Sequence, residues 1–220
     1  MRRRRAAVPF RSGFWVPWFP TMLPQRFPFC WWVAVVVDQM SRRMIAFEAY
    51  RSLPTSEKIQ ALLRRAQRAQ GFAPRCIVSD KGSQFHCRSY RRWCGRRGIR
   101  ILFGYLGQPH SIPITERFIR SMKHEFLNCI LLPVTRPGML RELANYQIWY
   151  NEHRPHRHLD GRTPLEISSG RKKRWPRIET RPRWSRRRRG SRGVTGKLAL
   201  DVSYVGGRKQ LPIVKLRRVA

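Results

Sequence analysis

The run FPFCWWVAVVV, from Phe27 to Val37, constrains the fold more than any other stretch of this chain. Apart from Cys30, residues 29–37 are aromatic or aliphatic, with four valines, and the stretch is apolar at odd and even positions alike. That is the pattern of a strand buried on both faces, hence of a central strand in a sheet. The run is too short to span a bilayer. Asp38 follows it, SRR makes a turn, and MIAFEAY (Met44 to Tyr50) reads as the returning antiparallel strand.

The segment after that strand, PTSEKIQALLRRAQRAQGF, places Ile59, Leu62, Leu63, Ala66 and Ala69 at helical spacing. Thr55 or Ser56 can cap this helix, and Gly71 stops it. Pro74 to Ser79 predicts a short strand ending at Asp80, Cys87 to Arg97 a helix, and Ile99 to Phe103 a further strand. A Gly/Pro loop over 104–112 precedes helices at about Ile114 to Cys129 and Gly138 to Glu152. This element order is that of an α/β domain with a mixed sheet. One core over 27–168 accounts for it. Residues 1–26, rich in Arg, Pro and Trp, are expected to be an irregular lead-in. Residues 169–193 read as a basic disordered linker, and 194–220, alternating on both sides of Gly206-Gly207, as a β-hairpin.

With 47 Lys+Arg against 12 Asp+Glu, the formal charge is +35. Such a density repels itself unless a polyanion neutralises it, which points to a nucleic-acid partner. The five cysteines are odd in number and form no CxxC pair, which argues against a disulfide framework. Zinc at His86, Cys87 and Cys94 would match no common finger spacing. MRRRRAAVPF lacks the apolar stretch and cleavage site of a signal peptide. The expected location is cytoplasmic, at the nucleoid.

In so basic a chain, two carboxylates stand out. Asp80 in IVSDKGSQF ends an apolar run, and Glu116 in TERFIRSMKHEF opens a helical segment. Carboxylates on different elements are what a divalent-metal site for phosphodiester chemistry needs. Glu116, Arg120 and Lys123, at i, i+4 and i+7, share one helix face, so the acid can hold metal while the bases meet phosphates. The plainer reading is a helix-opening Glu favoured by the macrodipole, beside a solvated basic face.

The words VSDKGSQF, GIRILFGYLGQ, TERFIRSMKHEF and WYNEHRPHRHLDGRTPLE, in that order, closely resemble the integrase-type transposase core, over about residues 28–168. This resemblance implies a ribonuclease H-like mixed sheet flanked by helices. It also implies DNA integration or transposition by metal-dependent transesterification, with two Asp and one Glu holding two Mg²⁺ or Mn²⁺ ions. Asp80 would be the second acid and Glu116 the third. The first belongs to the family's opening strand, in a W-x-x-D-x-T-like setting. Here no Asp or Glu precedes Asp38, and VVVDQMSRR matches the second strand, so Asp38 is at best a lesser metal ligand. Weak or no strand transfer is the expectation. The alternative is a non-catalytic DNA-binding remnant, or a modulator of a full-length transposase.

For DNA contact, the candidates are Arg117, Arg120 and Lys123 on the helix, Arg154 in the following loop, and Arg186, Arg187, Arg188 and Arg189 in the tail. The expected partners are DNA at element ends and target, together with further copies of the chain or a full-length transposase. His153, His156 and His158 lie among arginines, and neighbouring positive charge opposes a metal there. Trp93, Trp149 and Tyr150 are expected in the core. The hairpin around Gly206 is read either as the stub of a C-terminal β module or as an edge ribbon packed on the core.

Overall fold

A computed structural model describes residues 14–18, 31–79, 82–103, 113–170 and 197–219. A five-stranded sheet is built from β1 (Phe14–Trp18), β2 (Trp32–Asp38), β3 (Met44–Tyr50), β4 (Cys76–Ser79) and β5 (Arg100–Phe103), in the order β3-β2-β1-β4-β5. β2 is antiparallel to β1 and to β3, while β1, β4 and β5 run parallel. The sheet is therefore mixed, as expected.

β2 is buried on both faces because its side chains alternate between two cores. Val33, Val35 and Val37 join Phe118, Met122 and Tyr146 on one face. Ala34 and Val36 join Ile59, Leu63 and Trp93 on the other. The first set of partners comes from α4 (Pro113–Glu125) and α5 (Arg136–Ile148), the second from α1 (Ser56–Gln70) and α3 (Arg88–Gly95). α1 follows Thr55 and ends at Gly71, whose φ of 72° is the left-handed conformation that closes helices cheaply only at glycine. Before α3, residues Ser83–His86 form a short helix, α2, that sequence periodicity does not signal. α6 (Pro164–Ser168) closes the core with a capping box between Thr163 and Glu166.

The lead-in requires a correction. Residues 14–18 lie inside the segment expected to be irregular, yet they form the strand at the middle of the sheet. FWVPW misleads because proline cannot donate to a ladder and normally argues against a central strand. Pro17 nevertheless stands opposite Val36.

Three glutamates hold these elements together in ion pairs. Glu48 on β3 is buried and pairs with Arg65 of α1 at 2.7 Å and Arg136 of α5 at 2.9 Å. Glu142 of α5 is buried and takes the Arg208 guanidinium with both oxygens. Glu125 of α4 takes the Arg154 guanidinium in the same bidentate way, at 2.5 and 2.6 Å.

Arg208 belongs to the turn of the C-terminal hairpin, β6 (Lys197–Tyr204) and β7 (Pro212–Val219). Its two strands form their own sheet and do not extend the edge of the main one. The turn is what docks. Val205 and Leu211 enter the α4/α5 core, and Trp149 Nε1 donates to the Pro212 carbonyl at 2.9 Å. Gly206 has φ 55°, in the left-handed region that favours glycine, and an added Cβ would meet only the movable tip of the Asn145 side chain. Leu200, Val202 and Tyr204 are exposed along one face of β6. The linker expected over 169–193 falls, from residue 171, outside the described residues, as do residues 194–196 of the hairpin segment.

α5 does not simply stop. Its last turn widens into a π-helix over Trp149–His153, where Arg154 N–H donates to the Trp149 carbonyl at 2.8 Å. This brings buried Asn151 against β3: Met44 N–H donates to Asn151 Oδ1 and Asn151 Nδ2 donates to the Met44 carbonyl, both at 2.9 Å. Beyond it, the His156 imidazole meets the Tyr150 ring edge-on at 4.7 Å. Burial first, then the neighbouring Arg154 charge, depresses the His156 pKa to about 4.

Two outcomes follow from this segment. Asn151→Ala strands the buried Met44 N–H, whereas the Met44 carbonyl keeps its bond from Gln147. A loss of about 2–3 kcal/mol is expected in urea denaturation. His156 is harder to protonate in the folded chain than in the unfolded one, where its pKa is near 6.5. Its contribution to stability is therefore complete above pH 6.5 and falls as pH drops from 6.5 towards 4, by up to roughly 3 kcal/mol. Denaturation of the wild type and of His156→Gln at pH 7, 5.5 and 4.5 should show a shallower decline in the variant.

Candidate metal and nucleic-acid site

Parallel strands deliver residues beyond their C-terminal ends into a common crevice, which is where ligands bind in open α/β sheets. β4 ends at Ser79, and its register with β5 pairs Ser79 with Phe103. Asp80, the next residue, lies outside the described residues, as do Lys81 and the loop over 104–112 that contains His110. The central neighbour of β4 is β1, parallel to it with Trp15 opposite Ile77. β1 carries no carboxylate: its sequence is FWVPW.

Asp38 does not supply what β1 lacks. Trp15 pairs with Asp38 on one side and with Ile77 on the other, so Asp38 lies level with Ile77 and across a whole strand from it. At about 4.8 Å between strands and 3.3 Å per residue, its backbone is about 12 Å from that of Ser79. Its carboxylate is also committed. Asp38 is buried, and its Oδ2 accepts from the Ser41 N–H at 2.8 Å and the Ser41 hydroxyl at 2.6 Å. Asp38, expected as a lesser metal ligand, instead anchors the β2–β3 turn.

Glu116 sits in the first turn of α4, where the helix dipole favours a carboxylate. Thr115, Phe118, Ile119 and Met122 are buried on the core side, while Glu116 and Arg120 are exposed and Lys123 is half-buried. The three predicted neighbours thus share a solvent-facing stripe. Despite the excess of cations, Glu116 makes no ion pair or hydrogen bond among the described residues. Two hydroxyls close to the carboxylates in sequence, Ser79 Oγ and Thr115 Oγ1, are buried without a hydrogen-bond partner. Core packing alone gives no reason for either.

Arg117 and Arg154, expected to contact DNA from the helix and from the following loop, both have partners within the fold. Arg117 turns away from Glu116 and hydrogen-bonds His158. The Arg154 guanidinium is held by Glu125 and lies 5.7 Å from the Tyr150 ring centroid, which makes it a structural cation. Arg186 to Arg189 lie outside the described residues. Trp93, Trp149 and Tyr150 are buried, as the helical spacing suggested. Among the described residues no group of three or more His, Cys, Asp or Glu side chains is placed to hold a metal, and no helix is long and apolar enough to cross a membrane.

A feature that sequence reasoning missed is Arg42. In the β2–β3 turn it adopts φ 63°, the left-handed region usually reserved for Gly, Asn or Asp. No pattern in SRR signals it.

The donor set therefore fits a two-ion centre poorly. One carboxylate is exposed on α4, another follows β4, and the strand between β2 and β4 offers none.

Comparison with known proteins bears on the fold and the family. The integrase core domain family matches residues 21–109, and a second integrase core domain profile matches residues 97–164. No curated protein sequence matches the chain. Among solved structures, the simian T-cell lymphotropic virus intasome in complex with the PP2A regulatory subunit B56 gamma aligns over 98% of this chain and 70% of its own, with a TM-score of 0.60 at 18% identity. The HTLV-2 integrase catalytic core domain in complex with magnesium, in its dimeric form, aligns over 74% of this chain and 99% of its own, with a TM-score of 0.53 at 18% identity. Its trimeric form gives a TM-score of 0.55 over the same shares. The mixed sheet in the order β3-β2-β1-β4-β5, the helix that opens on Glu116 and the family matches that together run from residue 21 to 164 place this chain in the integrase core family, with its ribonuclease H-like fold.

Proposed function

We propose that this chain acts on DNA as an integrase-type core whose strand-transfer chemistry is weak or absent because its central strand brings no carboxylate to the site. The observation that carries the reading is β1, FWVPW, seated between β2 and β4 without an acid. DNA integration is the activity of the family. In it, three carboxylates hold the divalent ions that activate the attacking oxygen and stabilise the leaving one. Asp80 and Glu116 are the two that remain here, enough to hold one Mg²⁺ or Mn²⁺ but short of the ligands and negative charge for two. Arg120 and Lys123, beside Glu116, would meet the phosphates flanking the scissile bond.

DNA affinity is supported by the charge of +35 and by the run Arg186 to Arg189. The missing acid also favours a second reading, in which the chain coats DNA or modulates a full-length transposase by joining its multimer. Oligomers are named for the viral relatives, an intasome and dimeric and trimeric catalytic cores.

The test pairs binding with chemistry. Binding to duplex DNA should weaken steeply with salt. Replacing Arg186 to Arg189 by alanine should lower the slope of log affinity against log salt by about 0.9 for each phosphate that the variant no longer neutralises. With Mg²⁺ or Mn²⁺, labelled DNA ends should give little or no strand-transfer product. A robust Mg²⁺-dependent product that disappears in Asp80→Asn and in Glu116→Gln would overturn the proposal.

A further inference from the structure

On the side of α4 turned away from Glu116 lies a cavity of about 440 Å³ between that helix, the β2–β3 turn and the loop after α5. No acidic residue lines it. Its ionisable lining, Tyr150 apart, is cationic or imidazole: Arg42, Arg117, Arg154, Arg157, His156 and His158, with Ser121 adding a neutral hydroxyl. Tyr150 and Phe118 supply apolar wall. Arg154 is neutralised by Glu125, whose carboxylate lies behind it.

Arg42 is the informative member. Its Nη1 is buried and has no hydrogen-bond partner. Burial lowers its pKa from the ordinary guanidinium value; Tyr150 and Asp38 work against that, and Arg117 adds a smaller lowering effect. Its backbone takes a left-handed conformation that is strained for an L-residue and that glycine adopts freely. The turn alone gives no reason for a half-buried, unpaired arginine at this position. An anion in the cavity gives one, because a guanidinium fork matches phosphate oxygens and an unpaired buried donor gains most from a charged acceptor.

We infer that this cavity is a phosphate-binding site, set by Arg42, Arg117 and Arg157, distinct from the Glu116 face and filled by a phosphodiester of bound DNA or by a free phosphate. Arg117, Arg157 and His158 line it from exposed positions, and Arg42 from a half-buried one. The inference does not rest on the chemistry proposed for Asp80 and Glu116, and a failure to find strand transfer leaves it untouched.

The experiment titrates the full chain with inorganic phosphate, following the imidazole resonances of His156 and His158 by NMR and the thermal midpoint. Saturable shifts at both histidines and a raised midpoint are expected, and sodium chloride at equal ionic strength should reproduce neither. Arg42→Gly should weaken phosphate binding at least about tenfold, the loss of a charge-assisted hydrogen bond. The unliganded stability of this variant should stay unchanged or rise, because the turn accepts glycine. Arg157→Ala, at an exposed position, should weaken binding without altering the fold. Displacement of phosphate by a short DNA duplex would assign the site to a phosphodiester, and retention of phosphate in the presence of duplex would assign it to a free phosphate. The inference is overturned if chloride reproduces the shifts, or if Arg42→Gly binds phosphate as tightly as the wild type.

Discussion

A chain with 47 cations and 12 acids must fold against its own repulsion, and its architecture depends on where the few carboxylates go. Glu48 ties β3 to α1 and α5, Glu125 ties α4 to the loop after α5, and Glu142 ties α5 to the hairpin turn. Each carboxylate receives two hydrogen bonds from arginine. That satisfaction makes burial of a charge tolerable, and removing one partner would leave the other uncompensated. Asp38 and Glu166 serve as local turn and cap anchors. Glu116 does none of this work. It stands exposed in the first turn of a helix whose other face is engaged in the core.

The sheet order then decides what Glu116 can work with. In a mixed sheet with β1 between β2 and β4, only residues near the C-terminal ends of the parallel strands reach one crevice. Asp38 ends a strand that runs the opposite way, so its distance from that crevice follows from register and no rotamer change can close it. β1 carries no carboxylate, so on the proposed reading the fold of an integrase core is intact where its chemistry is incomplete. This separation is physically unsurprising, because the apolar alternation that builds the sheet and the acids that hold metal are independent features of the same strands.

Much of this was legible in the sequence, and the exceptions have identifiable causes. Val33 to Val37, apolar on both faces, announced the buried strand, and the Ile59–Leu63–Ala66 stripe with Gly71 announced α1 almost to the residue. β1 was hidden because Pro17 breaks the usual rule for central strands. The π-helix at Trp149 was hidden because one widened turn leaves the helical pattern before it unchanged. Glu116, Arg120 and Lys123 were correctly placed on one face, since periodicity fixes that. The partners of Arg117 and Arg154 were not legible, since His158 and Glu125 are tertiary neighbours 41 and 29 positions away. Spacing within a helix carries no information about such partners.

α4 emerges as a helix with three functions divided by angle. Its core side buries Phe118, Ile119 and Met122 against β2 and α5. One flank presents Glu116, Arg120 and Lys123 to solvent, and the other, through Ile114, Arg117 and Ser121, walls the cationic cavity closed by Arg42. A helix with its side chains is about 10 Å across, comparable to the roughly 12 Å width of the DNA major groove. Cations on both flanks can therefore engage phosphates that are not neighbours. Such an arrangement would orient the helix on a duplex whether or not Glu116 completes any reaction. On the proposed readings, the phosphate-facing cations rest on α4 and the β2–β3 turn, while the missing acid belongs to β1.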